Sequence, residues 1–90
     1  MQIRGVIRSA DLQEYPPGSD RIEIVIGVQG VGAGQPRRLV IPFEYLLKNE
    51  GIDPEDLAGR GFLAEVIEEE NLRWVISEIA LASKVLRPGT

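Results

Sequence analysis

The run Arg21-Ile22-Glu23-Ile24-Val25-Ile26-Gly27-Val28 alternates with a period of two. No other feature constrains the fold of this chain as strongly. Ile22, Ile24, Ile26 and Val28 share one face of an extended strand, and Arg21, Glu23 and Val25 share the other. A strand that buries one face needs partners for its backbone as well as a core for its side chains. The neighbouring residues predict those partners.

Upstream, Ile3-Arg4-Gly5-Val6-Ile7-Arg8 reads as a first strand. Its mid-strand glycine predicts a bulge or bend. Tyr15-Pro16-Pro17-Gly18-Ser19-Asp20 is turn chemistry and bars a helix there. Downstream, Arg37-Arg38-Leu39-Val40-Ile41-Pro42 is a third strand, ended by a proline that cannot donate to a ladder. Residues 43–50 then read as a helix closed by Gly51. Asp53-Pro54-Glu55-Asp56 opens a second short helical turn, with an Asp cap and a proline in the first position, and Gly59 closes it. Residues 61–67 form strand four, and Glu69-Glu70-Asn71 makes a tight connection. Strand five begins at Leu72-Arg73-Trp74-Val75-Ile76-Ser77. Residues 77–86 either extend it past a bulge near Glu78 or form a terminal helix.

Three strands, a helical connection and two more strands define the expected fold class. It is an all-β, five-stranded Greek-key barrel of the OB-fold type, with the helix between strands three and four, spanning residues 1–90 as one domain. An SH3-like barrel has no room for so long a helical insert. A ferredoxin-like fold needs a helix where the Pro-Pro-Gly turn stands.

Composition removes several function classes. With no cysteine there are no disulfides and no thiolate metal sites. With no histidine the usual metal ligand and the usual acid–base group near neutral pH are missing. Ser9, Ser19, Ser77, Ser83 and Thr90 therefore have no imidazole to activate them. The chain is not expected to be an enzyme, and no catalytic residue, metal ligand or cofactor is assigned. No run approaches the ~18 apolar residues of a membrane span, so a cytoplasmic protein is expected. The net charge of -4 is unevenly placed. Residues 1–43 hold five arginines against four acids, whereas residues 44–70 hold nine acids against Lys48 and Arg60.

The glycine stretch Gly27-Val28-Gln29-Gly30-Val31-Gly32-Ala33-Gly34-Gln35-Pro36 invites a phosphate-cradle reading. That reading fails, because Gln35 stands where a dinucleotide fingerprint needs its third glycine and a strand follows instead of a helix. The stretch reads as a slack hairpin loop. Arg37 and Arg38 at its end are the better phosphate candidates, with Arg21 near them if the hairpin is symmetric. Of the five aromatics, Phe62 reads as core. Trp74 shares parity with Leu72 and Ile76. Tyr15 stands in the loop after strand one. Glu68-Glu69-Glu70 reads as a solvated turn.

Several stretches resemble the OB domains of bacterial single-stranded DNA-binding proteins and the primosomal replication protein PriB. Ala10-Asp11-Leu12-Gln13-Glu14-Tyr15-Pro16-Pro17-Gly18 is similar to that family's loop after strand one. Leu39-Val40-Ile41-Pro42-Phe43 resembles its run from strand three into the helix. Leu57-Ala58-Gly59-Arg60-Gly61-Phe62-Leu63-Ala64-Glu65-Val66 and Trp74-Val75-Ile76-Ser77-Glu78-Ile79-Ala80-Leu81 are similar to the entry into strand four and the last strand. The resemblance implies single-stranded nucleic-acid binding, with Phe43 at a stacking position. Two departures stand out. The family's aromatic near the start of strand three falls at Arg37, and its long last hairpin is a short acidic turn here.

Two function classes follow. One is a single-stranded DNA- or RNA-binding module that uses Arg21, Arg37 and Arg38 on phosphates and Tyr15, Phe43 and Trp74 on bases. The other is a protein-interaction module without nucleic acid. Edge pairing into a homodimer is compatible with both.

Overall fold

The alternating run becomes the middle of a closed five-stranded sheet. The computed structural model describes residues 1–82. β1 (Gln2–Glu14), β2 (Ile22–Gln29), β3 (Arg38–Ile41), β4 (Gly61–Glu69) and β5 (Arg73–Leu81) follow in chain order, with one short helix, α1 (Phe43–Lys48), between β3 and β4. Around the barrel the order is β1-β2-β3-β5-β4, and β1 closes it by pairing antiparallel with β4. The one parallel contact is between β3 and β5, at Val40 and Val75. The all-β class is as expected. Among the described residues no helix is long and apolar enough to cross a membrane.

β1 is longer than the apolar pattern suggests. It runs on through Asp11, Gln13 and Glu14, because β2 needs an antiparallel partner along its whole length. The register places Ala10 opposite Ile26, Gln13 opposite Glu23 and Glu14 opposite Ile22. The irregularity lies between Ile7 and Ser9, leaving Arg8 as the extra residue. It marks the point where β1 leaves β4 for β2. Gly5 serves a different end. A Cβ there would lie 2.5 Å from the Gln29 carbonyl oxygen and 3.0 Å from Val31 Cγ1, so the residue permits a close backbone approach.

Inward positions follow the predicted parity. Ile3, Ile7, Ile24, Ile26, Val28, Leu39, Ile41, Phe62, Ala64, Val66 and Ile76 form one buried cluster. Leu57 joins it from the connection between α1 and β4. There Pro54–Asp56 forms a 3-10 turn, and the Asp53 carboxylate accepts a hydrogen bond from the Glu55 backbone N–H at 3.0 Å. β5 continues as a strand to Leu81, with its register shifting between Val66–Ile76 and Glu65–Glu78 so that Ser77 is the extra residue. The expected bulge near Glu78 is this one. The helix alternative fails as far as Leu81, and the remainder of its span, 83–86, lies outside the described residues.

The glycine stretch is braced rather than slack. Gln35 closes a turn, its Oε1 accepting from the Gly32 N–H at 2.8 Å and its N–H donating to the Gly32 carbonyl at 3.1 Å. The Gln35 Nε2 also donates to the Gln2 carbonyl at 3.2 Å, which ties the loop to β1. Val31 packs against the core.

Gly5→Ala is expected to destabilise the barrel by about 1–3 kcal/mol, through overpacking against the fixed Gln29 carbonyl. Gly61→Ala, whose Cβ would meet the Ala82 Cβ at 3.5 Å and the Gly5 carbonyl oxygen at 3.8 Å, both ordinary contacts, should leave stability within about 1 kcal/mol of the parent. Urea denaturation of the two variants checks the contrast.

Candidate functional site

Barrel geometry decides which of the expected site residues meet. β2 and β3 are antiparallel, pairing Ile24 with Ile41 and Gly27 with Arg38. Arg37 continues this ladder, its carbonyl accepting from the Val28 N–H at 2.9 Å. Arg21 stands at the other end of β2, six residues from Gly27. At 3.2–3.4 Å per residue that is about 20 Å away. The symmetric-hairpin expectation for Arg21 is therefore wrong. In an antiparallel pair the start of one strand faces the end of the other, so Arg21 meets the residues beyond β3. It forms an ion pair with Glu44, and its guanidinium lies over the Phe43 ring, 4.7 Å from the centroid. One face of Phe43, the ring the resemblance put forward for stacking, is thus covered by Arg21.

Arg37, Arg38 and Trp74 do come together. They line a shallow depression of about 350 Å³ on the outer face of β2 and β3, with Val25 and Val40 as its apolar floor and Gln13, Leu72 and Arg73 at its margin. Arg37 and Arg38 are exposed and form no ion pair with the described residues. Trp74 is half-buried, packing on the core cluster while also lining the depression. Leu72, at the tip of the β4–β5 connection, is 76% exposed and has a left-handed backbone, φ 57°. That conformation is strained for a bulky residue.

At the margin lies a feature without a local sequence signal. Glu23 sits on the nominally polar face of β2, yet it is only 2% exposed. Arg73, fifty residues later, covers it. Arg73 Nη1 donates to Glu23 Oε1 at 2.7 Å and Nη2 to Oε2 at 2.5 Å, the two-pronged geometry that suits a guanidinium to a carboxylate. Gln13 Nε2 donates to the same Oε1 at 3.0 Å, and Arg73 Nε donates to Glu69 at 3.3 Å. The Tyr15 ring lies against the other side of the guanidinium, 3.9 Å from centroid to Cζ. Hydrogen bonding to Glu23 raises the Arg73 pKa above its ordinary value, against an opposing effect of burial. Arg73 is therefore a fixed cation.

The turn after β1 positions Tyr15. The Glu14 carboxylate accepts from the backbone N–H groups of Gly18 and, at 3.1 Å, of Asp20. The Tyr15 N–H donates to the Arg21 carbonyl at 3.0 Å. Tyr15 is 41% exposed, as expected of a ring in this loop, but one face is occupied by Arg73. Beyond it, Tyr15 and Arg73 line a second hollow with Glu68, Glu69 and Glu70.

No family model, curated protein or solved structure matches this chain. The site must therefore be read from its own chemistry. Among the described residues no group of carboxylates could hold a metal ion. What the depression offers is two free guanidinium groups, one indole and an aliphatic floor. Such a surface suits a flat, negatively charged ligand with an aromatic part.

Arg73→Ala leaves the Glu23 carboxylate buried without its counter-charge and should cost about 3–5 kcal/mol. Glu23→Ala should cost less, because Arg73 keeps Glu69 and the Tyr15 ring and lies nearer solvent. Replacing both together, Glu23→Leu with Arg73→Met, should recover most of the loss. Thermal and urea denaturation of the three variants checks this order.

Proposed function

We propose that this barrel is an OB-fold and that it binds single-stranded nucleic acid across the β2–β3 face. The strand order, the parallel β3–β5 contact and the helix between β3 and β4 support the fold reading. One observation carries the functional reading: free Arg37 and Arg38 beside Trp74 on an apolar floor, with Leu72 of the β4–β5 connection at its margin. In OB-folds the β2–β3 face and the β4–β5 connection are among the places where oligonucleotides lie.

Each group has a role in this reading. Arg37 and Arg38 take phosphate oxygens. Trp74 offers its exposed part as a stacking surface, worth about 1–3 kcal/mol per base. Val25 and Val40 carry the sugar or base edge. Arg73 is held by Glu23 and serves the binding face as part of its wall. Glu68, Glu69 and Glu70 repel phosphate and confine the strand's path to the Arg37–Arg38 side. Arg21 is engaged with Glu44 and Phe43 and lies outside this face. No catalytic step belongs to the proposal.

The test is a titration of a labelled oligothymidylate, read by anisotropy at low and moderate salt. Binding should weaken as salt rises. Removing both arginines, Arg37→Ala with Arg38→Ala, should lower the slope of log affinity against log salt by about 1.4, at roughly 0.7 per phosphate contact. Trp74 is the only tryptophan, so the oligonucleotide should quench the intrinsic fluorescence as it stacks. Absence of binding at about 50 μM protein in low salt would sink the proposal, since even non-specific phosphate affinity reaches this range.

A further inference from the structure

A second groove, of about 410 Å³, lies between α1 and the β4–β5 sheet and shares no lining residue with the β2–β3 depression. Its floor breaks the polar-outside pattern. Val66 and Ile76 pair across β4 and β5 and point into the core. Their neighbours Ile67 and Val75 are also directly paired, and alternation turns them outward. Two aliphatic side chains thus form a cross-strand pair on the outer surface, and Ile67 is 58% exposed. Tyr45 of α1 stands beside them.

The rim is acidic. Among the described residues Glu44, Glu69 and Glu78 line it, with Lys48 as the one cation. Glu44 and Glu69 are paired with Arg21 and Arg73, whereas Glu78 has no ion-pair partner among the described residues. The surrounding hairpin deepens the imbalance: residues 61–81 contain five glutamates and one basic residue, Arg73. That arginine is already committed to Glu23 and Glu69. Among the described residues the charge around the groove is negative on balance, which turns nucleic acid away and attracts a cationic peptide.

Tyr45 also limits how a partner can enter. Its hydroxyl accepts from the Ile79 N–H and donates to the Ile79 carbonyl, each at 3.4 Å. The β5 edge beside the groove is capped there, so an added strand finds no free ladder at Ile79. Recognition has to run through side chains.

We propose that this groove docks a basic, apolar segment of a partner protein. One or two large apolar side chains of that segment cover Ile67 and Val75, and flanking Lys or Arg residues meet Glu78 and the hairpin glutamates. The protein then has two faces of opposite charge, one for nucleic acid and one for a protein.

The test uses phage-displayed random peptides panned on the immobilised full chain. Enriched peptides should combine Lys or Arg with Leu, Ile, Phe or Trp. As synthetic peptides they should shift the amide resonances of Tyr45, Ile67 and Val75. Ile67→Lys and Glu78→Lys, both at exposed positions, should each weaken binding about tenfold or more. The Arg37→Ala/Arg38→Ala variant should bind the peptides like the parent, so loss of the oligonucleotide site and loss of the groove are separately visible. Failure to enrich any peptide, enrichment of acidic peptides, or equal binding to Ile67→Lys would overturn the proposal. So would a sedimenting dimer that Ile67→Lys converts to monomer, because the occupant would then be a second copy of this chain.

Discussion

One carboxylate organises the outer face of β2 and β3 in this barrel. Glu23 is buried on a strand whose other buried side chains are all aliphatic, and a charge in that position must be matched or it opposes folding. The match comes from Arg73, held on both prongs, and from Gln13 on the adjacent strand. To supply it, the Arg73 side chain at the start of β5 reaches over to Glu23 on the outer face of β2. That contact carries Trp74 and Leu72 to the margin of Val25 and Val40, and it puts the guanidinium where Tyr15 stacks. The depression is thus a by-product of satisfying a single buried charge. Replacing the pair with apolar residues keeps the barrel's logic but removes the reason for the two connections to stand at a fixed distance.

Strand parity made most of the fold legible. Ile24, Ile26, Val28, Leu39, Ile41, Phe62 and Val66 are buried where alternation put them, because a closed barrel has one inside and each strand shows it every second residue. The Asp53 cap and the closing glycines worked for a related reason, since their conformational demands are local. Distant pairings were not legible. Glu23 reads as a solvated residue because nothing within several positions hints at a partner fifty residues on. The placement of Arg21 failed for a simpler reason. Counting along the antiparallel register sends residue 21 toward residue 44, not toward 37, and that arithmetic needed only the turn to be placed. Gly5 drew attention as a bend when the extra residue was Arg8, because a glycine needed for close approach looks the same in sequence as one needed for curvature.

Charge divides the surface along lines already present in the chain. The exposed arginines of the glycine loop belong to the N-terminal half, and the glutamates belong to the stretch from α1 to β5. Barrel closure keeps these sets on different faces, because β3 and β5 meet at only one bridge while α1 and the β4–β5 hairpin form their own groove. Arg73 is the one basic residue of the β4–β5 hairpin, and its guanidinium is spent neutralising carboxylates on both sides of it.

The single bridge between Val40 and Val75 has a kinetic consequence. It joins residues thirty-five positions apart, through a strand of only four residues. Every other pairing in the barrel is a hairpin or a long antiparallel ladder. The β3–β5 seam therefore rests on a single bridge, fewer backbone partners than any other pairing of the barrel, which makes it the cheapest place for local opening. Val25, Val40 and Trp74 straddle that seam from outside. A ligand lying across them would act as a clasp on the weakest join of the barrel, so its occupancy would be read as slower amide exchange along β3.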